Sequence, residues 1–428
     1  MPGTEHKITV VGTGYVGLTS GACLARLGHR VICVDIDEEK IQAISSGQLP
    51  IYEEGLSEIV ISEMRSGRLE FTTDLLTAVQ DAEFVFLCLP TPPGHNGEAD
   101  LTAIKAVAGQ LRGQLSPGSV VVNKSTVPVN SARLVAELIG DSHIDVVSNP
   151  EFLREGSAVQ DFLNPDRIVV GSDNPHAGER VGALYLGARC PVVVTDPVSA
   201  ECIKYMANAF LALKISFVNQ SADFCDAVGA DVTEVMRGLS FDPRIGATFL
   251  SPGPGWGGSC FPKDTTALVS SARSVNRPMT LIEEAIDANS RHMKRTTEII
   301  HRAAIESREP RPKIGLLGLS FKANTDDTRE SPALEILRHL SENFDDLIAY
   351  DPLARISEDV KVFRAVSIQE AIAGSDVVAI LTEWPEFSLL TPADFLGQMR
   401  GNTVVDTRYI LDPRRFNGSG VRLVSIGR

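Results

Sequence analysis

Much that would announce a function at once is missing from these 428 residues. No run of about 18 apolar residues occurs, so no membrane-spanning helix is indicated. There is no Cys-x-x-Cys pair and no His-Glu-x-x-His, so no metal site is expected. The seven cysteines are scattered and odd in number, which argues against a disulfide framework and for a reducing cytosol. Positive charge is scarce: 40 Lys and Arg stand against 55 Asp and Glu, a net charge of −15. That balance disfavours nucleic acid or an anionic membrane as partner, but leaves open a small anionic ligand met by local lysines and arginines. The start, MPGTEHK, runs directly into strand-like ITVVG, which leaves no room for a signal peptide and points to a cytoplasmic location.

What is present is ordinary globular material, 43% hydrophobic and 22% charged, in a chain long enough for two or three domains. Short apolar runs at Ile8–Val11, Val31–Asp35, Phe84–Leu89, Val120–Asn123, Ile144–Ser148, Ile168–Gly171 and Val192–Thr195 read as strands. Amphipathic stretches such as Leu101–Leu111 and Ser131–Ile139 read as helices between them. This alternation predicts βαβ units and a parallel sheet covered on both faces. From Pro197 the period changes: Ile203, Met206, Phe210, Leu213, Phe217 and Phe224 follow helical spacing, and a second long helix is expected from Thr280 to Ile305. The apolar seam of the first is either a dimer core or buried within one chain. After the polar linker Ser307–Lys313 the alternation resumes, with strands at Lys313–Leu317, Ile348–Tyr350, Val377–Leu381, Thr403–Val405 and Leu423–Ser425. The expected architecture is α/β: two Rossmann-like, doubly wound parallel-sheet domains joined by a central helical domain with a long helix. The segments are 1–196, 197–306 and 307–428.

Two motifs carry chemistry. Gly12-Thr-Gly14-Tyr-Val-Gly17 follows a strand and opens an apolar helix, and Asp35 ends the next strand 18 residues after Gly17. In that context the glycines let a pyrophosphate approach the helix N-terminus, and Asp35 accepts from ribose hydroxyls while repelling a 2′-phosphate, which favours NAD over NADP. The second motif is Gly253–Asp264, GPGWGGSCFPKD, with four glycines and two prolines around one cysteine. Glycine permits close approach of a ligand to the main chain. A helix expected from about Pro262 sets Cys260 near its N-terminus with Lys263 close by, and both lower a thiol pKa. The other six cysteines lie in apolar patterns that fit simple burial.

The chain resembles the UDP-glucose/GDP-mannose dehydrogenases over nearly its whole length. The resemblance rests on GTGYVGLTSG (Gly12–Gly21), LPTPPG (Leu89–Gly94), KSTVPV (Lys124–Val129) and NPEFLREGSAVQDFLNPDRIVVG (Asn149–Gly171). It continues through KYMANAFLALKISFVN (Lys204–Asn219), DPRIG (Asp242–Gly246) and the cysteine loop, to GLSFKANTDDTRESPALEIL (Gly318–Leu337), YDP (Tyr350–Pro352) and DTRYILDP (Asp406–Pro413). It implies NAD-dependent oxidation of a nucleotide sugar at C6 in two successive steps, with Cys260 as nucleophile. It also implies Lys204 and Asn208 as oxyanion stabilisers, Asp264 and Thr126 near a water, Glu155 as base for hydrolysis, and Glu151 in support. NAD is expected to meet Gly12, Gly14, Tyr15, Val16, Gly17, Asp35, Lys40, Pro90, Thr91, Thr126, Glu155, Lys263 and Arg329. Substrate contacts implied are Phe152, Leu153, Arg154, Lys204, Asn208, Arg244, Phe249, Gly257, Lys322 and Arg408, with Arg244 reaching across a homodimer or dimer-based oligomer. Asn130, where glycine is frequent, and Trp256, where Phe or Tyr is usual, depart from the pattern near ligand-facing loops. Thr407 and Tyr409 flank Arg408 unusually.

The residue types suit that chemistry. Oxidising an aldehyde needs a tetrahedral adduct, which a thiol supplies; a cation stabilises the oxyanions and a carboxylate activates water. Lys204 and Asn208 are four apart on the long helix and share a face, and Glu151 and Glu155 are four apart in a segment able to form a helical turn. No histidine falls in these motifs, which fits poorly with lactate-type dehydrogenases. Three rivals remain: a sister dehydrogenase for UDP-N-acetylmannosamine or GDP-mannose, a single-step 6-phosphogluconate-type enzyme, and a catalytically silent NAD-binding scaffold.

Overall fold

The computed structural model describes residues 4–94, 97–185, 187–354 and 360–428. The chain divides into two compact units, Met1–Ala207 with Thr266–Arg277 and Asn208–Thr265 with Pro278–Arg428.

The first unit is built on eight strands: β1 (Lys7–Val11), β2 (Arg30–Val34), β3 (Leu69–Thr72), β4 (Phe84–Leu87), β5 (Val120–Asn123), β6 (Asp145–Ser148), β7 (Ile168–Ser172) and β8 (Val192–Thr195). Their order is β3-β2-β1-β4-β5-β6-β7-β8. Phe84-Val-Phe-Leu and Val120-Val-Val-Asn are buried at every position, as a sheet covered on both faces requires. The strand that patterning misses is β3, Leu-Glu-Phe-Thr, a short edge strand with a polar residue inside it.

The expectation of a wholly parallel sheet needs one correction. β6 and β7 are antiparallel, with Val147 opposite Ser172 and Ser148 opposite Gly171. Between them lie an irregular segment and the six-residue helix Ala158–Leu163. That helix is about 9 Å long at 1.5 Å per residue, too short to carry the chain back along the sheet. The carboxyl edges of β1, β4, β5 and β6 still point the same way. They deliver Gly12–Gly17, Pro90–Thr91, Lys124–Val127 and Asn149–Gly156 to one side of the sheet, where doubly wound folds bind ligands.

Helix Tyr15–Arg26 is buried from Gly17 to Ala25, where every residue but Leu18 and Leu24 is small. A Cβ on Gly17 would lie 1.9 Å from the Gly12 carbonyl oxygen, and one on Gly21 would lie 2.4 Å from Cys33 Sγ.

The second unit carries β9 (Ile314–Leu317), β10 (Leu347–Tyr350), β11 (Phe363–Arg364), β12 (Val377–Ile380), β13 (Thr403–Asp406) and β14 (Arg422–Val424). All pairs are parallel, in the order β11-β10-β9-β12-β13-β14, which repeats the order of the first six strands. Here too the short edge strand, β11, escapes the sequence pattern. The repeat extends to the first turn. Gly12 and Gly318 both have positive φ, +97° and +95°, and donate to the carbonyls of Val34 and Tyr350 respectively.

The two long helices run Pro197–Val228 and Thr280–Glu306. On the first, Phe210, Phe217 and Phe224 are 57–67% exposed, while Ala212, Val218 and Ala222 on the opposite side are buried. None of the six positions read from the sequence is buried: Met206, Phe210, Phe217 and Phe224 are exposed and Ile203 and Leu213 are half-buried, so within the single chain the apolar seam is a surface row and the core lies on small residues beside it.

Replacing Gly17 by alanine is expected to cost about 1–3 kcal/mol of stability by overpacking against the Gly12 carbonyl. Denaturant unfolding together with an NAD titration checks this. Wild-type values in both would mean the turn has slack that these distances deny.

Candidate active site

The turn after β1 fits a dinucleotide. Gly14 precedes helix Tyr15–Arg26, no side chain caps that helix, and a Cβ on Gly14 would meet open space. The main chain is thus accessible where a pyrophosphate needs it. Asp35 Oδ2 accepts from Thr13 N (2.8 Å), Thr13 Oγ1 (2.7 Å) and Lys40 Nζ (2.7 Å). Burial works against the charge, but the Lys40 and Thr13 bonds prevail and hold the carboxyl at about 2. Asp35 is therefore ionised at any working pH, as discrimination against a 2′-phosphate requires. Pro90 is exposed, and Thr91 beside it donates to the Thr126 carbonyl at 3.0 Å, tying the loops after β4 and β5 together.

The loop after β6 departs from expectation. Glu151 to Arg154 form no helical turn. Glu151 Oε2 instead accepts from Leu153 N at 2.6 Å, and a side chain that takes a nearby amide competes with helix. Glu151 Oε1 lies 3.1 Å from Lys204 Nζ, and both side chains are about 95% buried. Surface solvation, the ordinary fate of such residues, is thereby ruled out for both. The Phe152 ring receives the Arg167 guanidinium at 3.6 Å and Lys204 Nζ at 5.3 Å from its centroid. Arg154 turns outward to pair with Asp161, and Glu155 is half-buried in the turn that follows.

Sequence patterning does not single out Lys124, although it opens the KSTVPV motif. It is buried, and donates to Asn149 Oδ1 (3.1 Å) and the Tyr185 hydroxyl (3.0 Å). Burial pushes its ammonium down to about 8. It borders a recess of about 460 Å³, open to solvent, that Glu151, Phe152 and Arg167 also line. Glu201 is a second buried charge without a sequence signal. It accepts from Asn130 N, Ala132 N and Ser148 Oγ at 2.6–3.0 Å. Asn130 has φ +73°, in the left-handed region that asparagine tolerates better than most residues.

In the second unit Cys260 immediately precedes helix Phe261–Ser274, one residue earlier than the helix start read from Pro262. The Cys260 carbonyl accepts from Asp264 N at 2.8 Å. Asp264 is fully buried and accepts from Lys263 Nζ and Asn208 Nδ2, each at 2.6 Å. Lys263 is therefore engaged by the Asp264 carboxylate. The loop glycines serve packing within this unit. A Cβ on Gly257 would fall 1.8 Å from the Glu330 carbonyl oxygen, and one on Gly258 2.7 Å from the Phe321 ring. Trp256 is buried and donates its indole N–H to Ser216 Oγ at 2.8 Å, so its bulk belongs to the core. The Phe249 ring is tilted by 53° to that of Phe261, with centroids 6.5 Å apart.

Arg408 donates to the carbonyls of Leu381 (2.8 Å) and Phe321 (3.1 Å) and lies 3.1 Å from Glu383. Lys322 lies over the Phe321 ring at 5.4 Å. Arg329 and Arg244 each form a forked pair with an aspartate two residues earlier, Asp327 and Asp242, and the Arg244 side chain is 88% exposed.

A glycine turn open to pyrophosphate, an ionised acid at the second strand, and a cysteine heading a helix define a dinucleotide-dependent oxidoreductase. The UDP-glucose/GDP-mannose dehydrogenase signatures for the NAD binding, central and UDP binding domains match residues 6–188, 198–291 and 315–413. A UDP-glucose 6-dehydrogenase of Rhizobium meliloti is 43% identical over 439 residues, 99% of each chain. A UDP-glucose dehydrogenase structure from Pyrobaculum islandicum superposes with a TM-score of 0.88 at 34% identity, covering 96% of each chain. A UDP-D-ManNAc dehydrogenase structure from Pyrococcus horikoshii gives 0.87 at 27% identity, covering 98% and 99%. The chain belongs to the UDP-glucose/GDP-mannose dehydrogenase family, and its cofactor is NAD.

Replacing Glu151 by glutamine leaves the Lys204 ammonium buried without its counter-charge. The expected loss is about 3–5 kcal/mol of unfolding free energy, much of it restored when Lys204→Met is added. Denaturant titration of both single variants and the double variant tests this; strictly additive losses would show that the two groups do not depend on each other.

Proposed function

We propose that this enzyme oxidises UDP-glucose at C6 to UDP-glucuronic acid in two two-electron steps, through a thiohemiacetal and then a thioester on Cys260. The observation that carries the reading is the setting of Cys260 among the seven cysteines. Burial pushes the thiols of Cys23 and Cys88 up to about 12 and also raises Cys33, Cys190 and Cys202. Cys225 is buried in an apolar cluster. Cys260 is the one that directly precedes a helix, part-exposed, with the Lys263–Asp264–Asn208 chain following it. The UDP binding domain signature supports a UDP-sugar, and the relatives named above support glucose as the sugar.

Gly12–Gly17 and Asp35 would hold NAD, which when bound would supply the hydride acceptor for each oxidation. Cys260 adds to the C6 aldehyde as a thiolate, forming the S–C bond of the thiohemiacetal. Loss of the remaining C6 hydrogen as hydride from the alkoxide that this addition leaves gives a thioester. Glu155 takes a proton from water as that water attacks the thioester carbonyl. The S–C bond then breaks, which frees the carboxylate and regenerates the thiolate. Lys204 stabilises the oxyanions, with Glu151 fixing its ammonium. Asn208 gives one amide N–H to Asp264, which orients the other for the same role. Asp264 and Thr126 serve the water. Arg329 and Lys263 serve the cofactor, and Lys322 and Arg408 serve the UDP side. A UDP-N-acetylmannosamine substrate is the second reading, favoured by the TM-score of 0.87 to such an enzyme.

A panel of nucleotide sugars assayed for NADH formation tests both. UDP-glucose is expected to yield two NADH and one uronic acid per sugar, with no free aldehyde accumulating. Cys260→Ala is expected to abolish steady turnover and leave at most the first oxidation. A ratio near one in the wild type, or full activity in that variant, would remove the thioester route.

We further propose that the exposed row Phe210, Phe217 and Phe224 seats a second copy of the chain, and that Arg244, exposed at 88%, serves the partner's sugar site. Its planar fork suits a carboxylate as it suits Asp242 here. Arg244→Ala and Cys260→Ala enzymes are each expected to be severely impaired, yet coexpressed as mixed dimers they should recover activity, because one of the two sites then keeps both groups. Verified mixed dimers without recovery would place Arg244 in its own chain's site or outside it.

A further inference from the structure

Glu53, in the segment Pro50-Ile-Tyr-Glu-Glu-Gly, lies in none of the motifs above and is only 6% exposed. A buried carboxylate needs strong donors, and its partners are a phenol and two backbone amides. The Tyr15 hydroxyl donates to Oε2, Gly156 N donates to Oε2 at 2.8 Å, and Ala158 N donates to Oε1 at 2.7 Å. These donors come from two places that matter separately. Tyr15 stands inside the dinucleotide turn, directly after Gly14, and is the first residue of the helix that meets the cofactor. Gly156 directly follows Glu155.

We propose that Glu53 is a positioning residue that couples the cofactor turn to the loop carrying Glu155, so that cofactor held at Gly12–Gly17 also orders residues 153–158. The side chain is buried, so a bond lost on one side is not replaced by water, and the two segments gain or lose order together. Burial first, and then the Glu53 contact, raise the Tyr15 hydroxyl well above the usual phenol range, with Glu155 adding to the effect. Tyr15 therefore remains a neutral donor at every working pH.

The assignment of Glu155 as base rests on the function proposed above, but the coupling is measurable without substrate or turnover. Hydrogen exchange of the peptide covering residues 153–158 is followed with and without saturating NAD, saturation being verified by titration for each variant. In the wild type, NAD is expected to slow exchange there by about tenfold, a coupling of ordinary size. In Tyr15→Phe, which keeps the ring and removes only the hydroxyl, the slowing is expected to shrink below about twofold although NAD still binds. Glu53→Gln is expected to lose as much, and the double variant no more than either single variant. If Glu53→Gln does not fold, Tyr15→Phe alone decides. Equal NAD protection in Tyr15→Phe and wild type, or none in wild type, overturns the proposal. Full turnover by Cys260→Ala would sink the thioester reading and leave the exchange result standing, so the two failures are distinguishable.

Discussion

Loops at the carboxyl edge of a parallel sheet present backbone amides that no strand can satisfy, and an unpaired buried amide is costly. This chain answers them with buried or half-buried carboxylates. Asp35 takes Thr13 N, and Glu151 takes Leu153 N. Glu201 takes Asn130 N and Ala132 N, while Glu53 takes Gly156 N and Ala158 N. Asp351 takes Leu319 N and Ser320 N, and Asp406 takes Arg408 N and Leu411 N. Asp35, Glu53, Glu201 and Asp351 thereby join segments far apart in the chain, whereas Glu151 and Asp406 hold the backbone of their own turns. Part of the chain's acidity is therefore structural, and its net charge of −15 describes more than its surface.

The electrostatic outcome differs from site to site, because desolvation and hydrogen bonding compete. At Asp35 the bonds from Lys40 and Thr13 win, and the carboxyl sits at about 2. At Glu201 and Asp406 desolvation wins, and their carboxyls are raised in spite of several amide donors. Among the described residues neither of these accepts a hydrogen bond from a lysine, as Asp35 does from Lys40. The same balance governs the buried cations. Lys204 lies against Glu151, whereas Lys124 is bonded to an amide oxygen and a phenol, and burial lowers it to about 8 although Cys88 and Glu151 act the other way.

The two sheets share strand order, first turn and acid, yet the acids are used differently. Asp351 accepts from Leu319 N, Ser320 N, Ser320 Oγ, Leu353 N, Ala354 N and the Trp384 indole. Both of its oxygens are taken up by its own lobe. Asp35 concentrates its close partners on Oδ2, and among the described residues its Oδ1 accepts just the longer bond from Asp37 N at 3.3 Å. One oxygen thus stays available to a ribose. That difference agrees with an NAD binding signature on the first lobe and a UDP binding signature on the second.

The amino-acid order by itself determined the alternation of strands and helices, the glycine turn with Asp35, and the place of Cys260 before a helix. Each is a local property: a period, a fixed spacing, a residue next to a helix start. Edge strands such as Leu69–Thr72 and Phe363–Arg364 stayed hidden because they are short and bury little. The antiparallel pairing of Asp145–Ser148 with Ile168–Ser172 was decided by how far a six-residue helix can carry the chain, which no periodicity reports. Only the tertiary structure decided which charges are buried. Lys124, Glu53 and Glu201 look like solvated residues in the sequence, and nothing in Gly257 and Gly258 announces that Glu330 and Phe321 lie against them. Burial depends on what arrives from distant parts of the chain, and a single sequence carries no local signal for that.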